Sequence, residues 1–501
     1  MASTHDSAAT IVALWFVKTV VTVVFRLAFH PLANFPGPKI AAVTSLYEFY
    51  YDVVRPGQYT WVIKKMHERH GPIVRISPRE LHIDDYNYYD ELYSGKKDKW
   101  DWAVNMFGRK PGTFRTVKHV EHRARRAALN PFFSKRAAVQ LSPMITGHVE
   151  NMCRRMEHSR DSGQPLCVPY MTAALTLDVI TEYAFGRSDA VLDEPDFAPQ
   201  WLQIMEGLLL NCHLNCFFPW LQDLMSILPR RLAQWLDPRV VSFIRYQGDR
   251  LSQLEAIFHA QNTKSATSAP THGATIFHHL LESPDVAPAD RNMEFFLSET
   301  MSIVGAGQAT TASHISITLF YVLSDHRIYS LLKAELKKAI PNPAILPSLA
   351  ELEELEYLTA VVAEGHRMSH GAIHRHQRIS PHASTLYKDW VIPPGTPIGM
   401  SALFMHENED LFPLPKVFDP SRFLGPEGQR LRKYLVHYSR GPRNCVGQNL
   451  AQAEIYLALA AMARRFDFEI FETMMKDMEI TRDCQQPFPK KGAKRFRVLV
   501  K

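Results

Sequence analysis

One loop constrains this chain more than any other stretch: Tyr438-Ser-Arg-Gly441-Pro-Arg443-Asn-Cys445-Val-Gly447, directly before a segment with helical periodicity. In a chain of this composition, the chance that any cysteine carries Gly at −4, a basic residue at −2 and Gly at +2 is on the order of 10⁻³. A cysteine is ordinarily a small buried hydrophobe, and Cys153 and Cys167 read that way. Cys445 reads as a thiolate whose pKa is lowered by the unpaired N–H groups at the start of the following helix, with glycines that let the backbone pass close to a large flat ligand. Arg443 is placed to meet a carboxylate of that ligand.

A thiolate that pushes electron density onto haem iron favours O–O cleavage. The loop resembles the haem-binding signature of the cytochrome P450 family, Phe-x-x-Gly-x-Arg-x-Cys-x-Gly, with Tyr438 standing where the pattern has Phe. The resemblance implies haem b, with Cys445 as axial thiolate and metal ligand and Arg443, Gly441 and Gly447 around it. It also implies a mainly α fold with a minor β region.

Further motifs of the family follow in order. Glu364 and Arg367 lie three apart on one face of the helical segment Ala350–Ser369 and match Glu-x-x-Arg. Pro420-Ser-Arg422-Phe423 resembles the segment whose arginine completes a buried Glu–Arg–Arg network, a structural feature because truncating one partner leaves charge uncompensated. The longest helical pattern, Asn292 to Ser324, centres on Val304-Gly305-Ala306-Gly307-Gln308-Ala309-Thr310-Thr311. Two glycines cost a helix about 1 kcal/mol each relative to alanine. The benefit read here is room for a ring system and O2 against the backbone, with the helix opening locally at Thr310. A tightly packed core helix whose threonine hydroxyls bond back to carbonyls one turn earlier is the alternative.

Ala306, Gly307, Thr310 and Thr311 match the family's catalytic pattern, and Ala309 departs from it where an acid is usual. The family's acid–alcohol pair relays protons to dioxygen. Alanine cannot, so a water oriented by Thr310, Gln308 or a substrate hydroxyl has to complete the path. For the haem propionates, the helix His119–Leu129 supplies His122 in place of the family's Trp, with Arg126 four residues on. Arg378 is the third expected partner. Pro36-Gly-Pro-Lys39 and Asn130-Pro-Phe-Phe-Ser134 resemble fungal microsomal members of specialised metabolism, of the trichodiene oxygenase kind.

Ile11–Phe29 has 15 apolar residues out of 19, interrupted only by Lys18, Thr19, Thr22 and Arg26. As a helix it is about 28 Å long, enough to span a bilayer. It is longer than the apolar region of a signal peptide, and no small-x-small cleavage site follows. No Lys or Arg precedes it, whereas Arg26, Lys39, Arg55, Lys64, Lys65 and Arg69 lie within or after it, which puts the bulk of the chain in the cytosol. Scattered cysteines without a CxxC agree with a reducing compartment. Residues 1–30 thus read as an anchor in the endoplasmic reticulum membrane and 31–501 as one haem-thiolate catalytic domain, with Pro31, Pro36, Gly37 and Pro38 as a stiff connector that decouples the two. Ile73–Ile76 and Leu81–Ile83 read as a β-hairpin, and Gln261–Thr275 as a mobile surface loop.

Cys212-His213-Leu-Asn-Cys216 carries two thiols and an imidazole, but the sequence offers no second half for a zinc site. With Leu208–Leu210 and Phe217–Leu221 around it, it reads as an apolar lid over a substrate cavity. The net charge of +6 is spread along the chain and argues no nucleic-acid partner. The resulting expectation is a monooxygenase that hydroxylates or epoxidises a hydrophobic terpenoid, polyketide or alkaloid, using O2 and electrons from NADPH through NADPH–cytochrome P450 reductase. No GxGxxG lies at a strand–helix junction, so the reductase is a separate protein. A thiolate-haem isomerase or dehydratase working without reductase and a haem-binding sensor are the alternatives.

Overall fold

The computed structural model describes residues 2–108, 110–227, 238–262 and 275–501. Of the stretch expected to be a mobile loop, residues 263–274 lie outside the described residues; Gln261 and Asn262 end a helix and Thr275 caps the next. Helix α1 (Ala2–Val24) runs on through a π turn at Phe25–Phe29, and its apolar part, Ala9–Phe29, is long enough to cross a bilayer and has no buried residue. The connector does not decouple it. Arg75, 2% exposed, donates from Nη1 to the carbonyls of Arg26 at 2.9 Å and Leu32 at 3.2 Å, and Arg26 itself donates to the Val43 carbonyl. A buried guanidinium needs acceptors, and the end of the apolar helix and the segment after it supply them.

After α2 (Tyr59–His70), β1 (Ile73–Arg75) and β2 (Leu81–Ile83) form the expected hairpin, in the register Ile73↔Ile83 and Arg75↔Leu81. With β3 (Asp98–Lys99), β4 (Arg378–Ile379) and β5 (Ile398–Gly399) they make one sheet in the order β1-β2-β5-β4-β3, antiparallel except for β2 beside β5. The rest is chiefly helical: α3 (His119–Leu129), α4 (Lys135–Ser162), α5 (Val168–Phe185), α6 (Gln200–Leu210), α7 (Cys212–Phe217), α8 (Met293–Ser324), α9 (Glu356–Ser369) and α10 (Gln448–Arg465). The hairpin β6 (Ile480–Cys484) and β7 (Gln486–Pro489) closes the chain's last third.

Helix α8 is the axis of the core, packed by α5, α9 and α10. Its N-terminus is fixed by Asn292, whose side chain accepts the Phe295 N–H at 2.9 Å. The expected continuous helix Ala350–Ser369 is instead two, Leu349–Glu353 and α9, broken at an extended Leu355. The cause is remote: the Glu335 carboxylate accepts the N–H groups of Tyr357 and Leu358, both at 2.8 Å, and so starts a new helix there.

On α9, Glu364 and Arg367 are fully buried and joined twice, at 2.7 and 2.8 Å; Arg367 also donates to the carbonyls of His406, Pro415 and Val417. Arg422 stands 3.6 Å from Glu364 Oε1, where the Asp419 N–H donates at 2.8 Å. Arg367→Ala leaves Glu364 charged and buried, and is expected to cost about 3–5 kcal/mol in denaturant unfolding; a loss under 1 kcal/mol would remove the network from the account of the fold.

Candidate active site

The loop before α10 is held from three directions. The Cys445 N–H donates to the Tyr438 carbonyl at 2.9 Å. Arg126, on α3, donates to the Asn444 carbonyl at 2.7 Å and to Asn444 Oδ1 at 3.1 Å, and so grips the residue before the thiol. Arg443 donates to the carbonyls of Thr116 and Val117, which enter α3.

The two glycines do different work. Gly441 sits at φ +68°, and a Cβ there stands 2.3 Å from the Tyr93 carbonyl oxygen, so its absent side chain serves contact with the chain near β3 and not with a ligand. Gly441→Ala is expected to destabilise by about 1–3 kcal/mol, read as a lower unfolding midpoint. At Gly447 a Cβ meets only Phe133, at 3.9 Å, which leaves open space beside the thiol.

Cys445 is accessible, yet enough protein surrounds it that burial pushes its pKa up, despite the Gly447 backbone N–H and the charge of Arg126. The helix N-terminus alone does not make the thiolate. A bound metal ion removes the proton outright, so deprotonation falls to the ligand.

Around the loop lies a cluster of bases. Burial and the neighbouring Arg443 and Arg378 push Lys99 well down, and burial brings Arg443 to about 10. Arg378 is buried on β4 over the ring of Tyr93 and donates to the Gln377 carbonyl at 3.1 Å. His122 is pushed down to about 3 by burial and by Arg443, Lys99 and Arg126, so it is neutral. Buried Nδ1 atoms of His122 and His119, and Nε of Arg443 and Arg115, have no hydrogen-bond partner among the described residues. Lys99, His119 and Arg115 carry no signal in the sequence because β3 and the segment after it meet α3 only in the fold. Several cations, orphaned donors and an open face beside a thiol fit a flat ligand with anionic substituents.

On α8, Ala306 and Thr310 are exposed although they sit in the middle of the helix at the axis of the core, and partly accessible Ser302 and Ser313 continue the stripe. An inner surface therefore runs along one side. The helix does not open: Thr310 Oγ1 donates to the Ala306 carbonyl at 2.8 Å and the α geometry is unbroken. Nor do the glycines face the stripe. A Cβ on Gly307 meets Ile180 of α5 at 3.0 Å, and one on Gly305 meets Met205 of α6 at 2.7 Å, so they serve close helix packing. Thr311, Ala309 and Gln308 are buried away from the stripe. Gln308 lies about 200° around the helix from Ala306 and takes no part in a path from Thr310.

Beneath the cysteine loop stands a column of imidazoles. His314 of α8 lies 4.2 Å from His366 of α9, which stacks on His437 at 3.7 Å between centroids; His437 leads to His406 at 6.5 Å and His406 to His370 at 5.5 Å. Burial pushes His314 down to about 3 and His370 to about 4, and pushes His366, His406 and His437 well below the usual range. The ring of Tyr438 packs on His437 at 4.1 Å.

The model of the family described as Cytochrome P450 matches residues 49–494. The chain is 39% identical over 504 residues to the cytochrome P450 monooxygenase sdnE of Sordaria araneosa, covering 98% of this chain and 97% of that one. It is 38% identical to the tryptophan 6-hydroxylase fscE of Fusarium equiseti, over 95% of this chain and 93% of that one. With the conidiogenone synthase PchP450 of Penicillium rubens it shares 37%, over 95% and 96%. Relatives along the full length are oxidoreductases of one kind, and the family carries haem on an axial cysteine thiolate. The chain belongs to the cytochrome P450 family, as a fungal-type monooxygenase.

Proposed function

We propose that the protein hydroxylates or epoxidises an apolar specialised metabolite, a terpenoid, polyketide or alkaloid, with electrons from NADPH delivered by cytochrome P450 reductase. The observation that carries the reading is the thiol of Cys445 beside an open face, ringed by cations with orphaned donors. In this reading Cys445 is the axial ligand, and His122, Arg126, Arg378 and Arg443 are the partners of the propionates, joined by Lys99 and His119. Haem, when bound, supplies oxygen activation and one-electron chemistry. The chain supplies the rest: Arg126 and Arg443 fix the loop, and Ala306 leaves room along α8.

Thr310 presents its hydroxyl on the inner stripe, where it orients a water. With Ala309 buried and Gln308 turned away, the proton at Thr310 Oγ1 has to be replaced from solvent or from a substrate hydroxyl. Thr310→Ala is expected to cut product formed per NADPH about tenfold or more, hydrogen peroxide making up the difference. Unchanged coupling would remove the hydroxyl from the path, and product formed without NADPH and reductase would instead favour an isomerase or dehydratase.

The relatives are named for a tryptophan hydroxylation in one case and for conidiogenone in another, so identity near 38% does not choose a substrate. Product analysis with candidate terpenes and polyketides does. Attachment to the endoplasmic reticulum membrane, with the body in the cytosol, is supported by the unburied apolar helix and by an apolar surface next to it. Phe49 packs on Phe217 and Phe218, Phe218 on exposed Trp220, and Leu46, Tyr50 and Val54 in the same segment as Phe49 are exposed.

A further inference from the structure

The fold supplies the second half that Cys212-His213-Leu-Asn-Cys216 lacks in the sequence. His213 at the start of α7, His374 after α9 and Asp483 at the tip of the β6–β7 hairpin converge, all buried, and one ligand atom from each lies within 4.8 Å of the others. We propose that these three residues hold a divalent cation of the zinc class.

The distances suit it. Tetrahedral zinc with nitrogen and oxygen ligands at about 2.0–2.2 Å sets neighbouring ligand atoms about 3.3–3.5 Å apart. His374 Nδ1 already stands 3.2 Å from Asp483 Oδ2. His213 Nε2 donates to the Asp483 carbonyl at 2.6 Å; ligation through Nε2 exchanges that hydrogen bond for the metal and leaves Nδ1 facing Asp52 Oδ2, 3.6 Å away, the carboxylate–histidine–metal arrangement that orients ligating imidazoles. Thr60 Oγ1 donates to Asp483 Oδ2 at 2.6 Å and the Gln485 N–H to Oδ1 at 3.0 Å, so the carboxylate is held in place. His374 Nε2 is buried with no partner among the described residues, so hydrogen bonds alone do not account for that ring's position.

Charge is the second argument. Glu48, Asp52, Glu80 and Asp483 are each at most 3% exposed, and the one guanidinium among them, Arg375, contacts Glu48, Glu80 and Asp52. Four carboxylates against one cation leave an excess of about three negative charges where water cannot screen them. Burial, with Glu80 and Asp52 nearby, pushes Glu48 up to about 8, which removes one. A dication removes the other two. The converging ligand atoms come from two imidazoles and one carboxylate, an N/N/O donor set. Such a set suits zinc better than a softer metal.

The inference is independent of the haem reading, since zinc and haem iron are counted separately. The full chain in detergent, loaded with haem, is equilibrated with zinc chloride, passed through gel filtration and assayed for both metals. One zinc per haem is expected, falling below about a tenth in His374→Ala and in Asp483→Asn and unchanged in the exposed control His158→Ala. Wild-type protein should also gain several degrees in unfolding midpoint with zinc, a gain both variants lose. The spectrum of the reduced CO complex reports whether each variant remains folded. Wild-type protein that retains no zinc overturns the proposal whatever the variants do, and so does zinc retained equally by folded His374→Ala.

Discussion

Lowering the pH from 7 to 5 is expected to unfold the protein and release its haem. The five imidazoles beneath the cysteine loop are neutral when folded, because burial holds His314 at about 3 and His370 at about 4 and pushes His366, His406 and His437 well below the usual range. In the unfolded chain each returns to about 6.5 and takes up a proton. The folded pKa is the lower one, so stability is full above the unfolded value and is lost as pH falls through it. Between pH 7 and 5 that is about 2 kcal/mol per ring, offset in part by Glu48, Asp84 and Glu454, whose carboxyls burial pushes up so that they bind protons more readily folded than unfolded. Charged neighbours do not reverse the sign: Glu407 favours a charged His370 but is itself paired with Lys64 at 2.7 Å, while Arg367, Arg432 and Arg440 oppose charging of the other rings. Circular dichroism against pH should show a cooperative transition between about pH 5 and 6. Replacing the stacked pair by His366→Phe and His437→Phe keeps the ring packing and should move the midpoint to lower pH. A midpoint below pH 4 in the wild type would show that the column does not control acid stability.

Cys445→Ser is expected to abolish both the red-shifted Soret band of the reduced CO complex and all product formation. Serine keeps the size and the loop hydrogen bonds, so the Tyr438 carbonyl and Arg126 still hold the backbone, and only the sulfur is lost. Haem retained with the red shift in this variant would move the ligand elsewhere in the chain. Arg126→Gln tests the support separately: it should keep the shift, because the thiol is intact, while lowering haem retention through a slack loop at Asn444.

The parts legible in the sequence are those written within one segment. The loop motif, Glu364 with Arg367 on one turn of helix, the hairpin at Ile73 and Leu81, the helices His119–Leu129 and Met293–Ser324, and the apolar N-terminal run each signal themselves through local spacing. What stayed hidden depends on partners far away in the chain. Leu355 breaks a helix because Glu335 caps the next one. Gly307 is small because of Ile180, and Gly441 because of Tyr93. Arg126 and Arg443 could be picked as basic residues near a cofactor, but that both brace the cysteine loop follows only from where α3 packs.

Arg75 gives the molecule a fixed posture. Its guanidinium joins the last turn of the anchor, through the Arg26 carbonyl, to the carbonyls of Ala42 and Pro78 in the body. A flexible tether lets a catalytic body swivel above the lipid; here the angle between helix and body is set by hydrogen bonds inside the protein. With the apolar helix in a bilayer, as proposed above, this lock sets the catalytic body at one angle to the membrane.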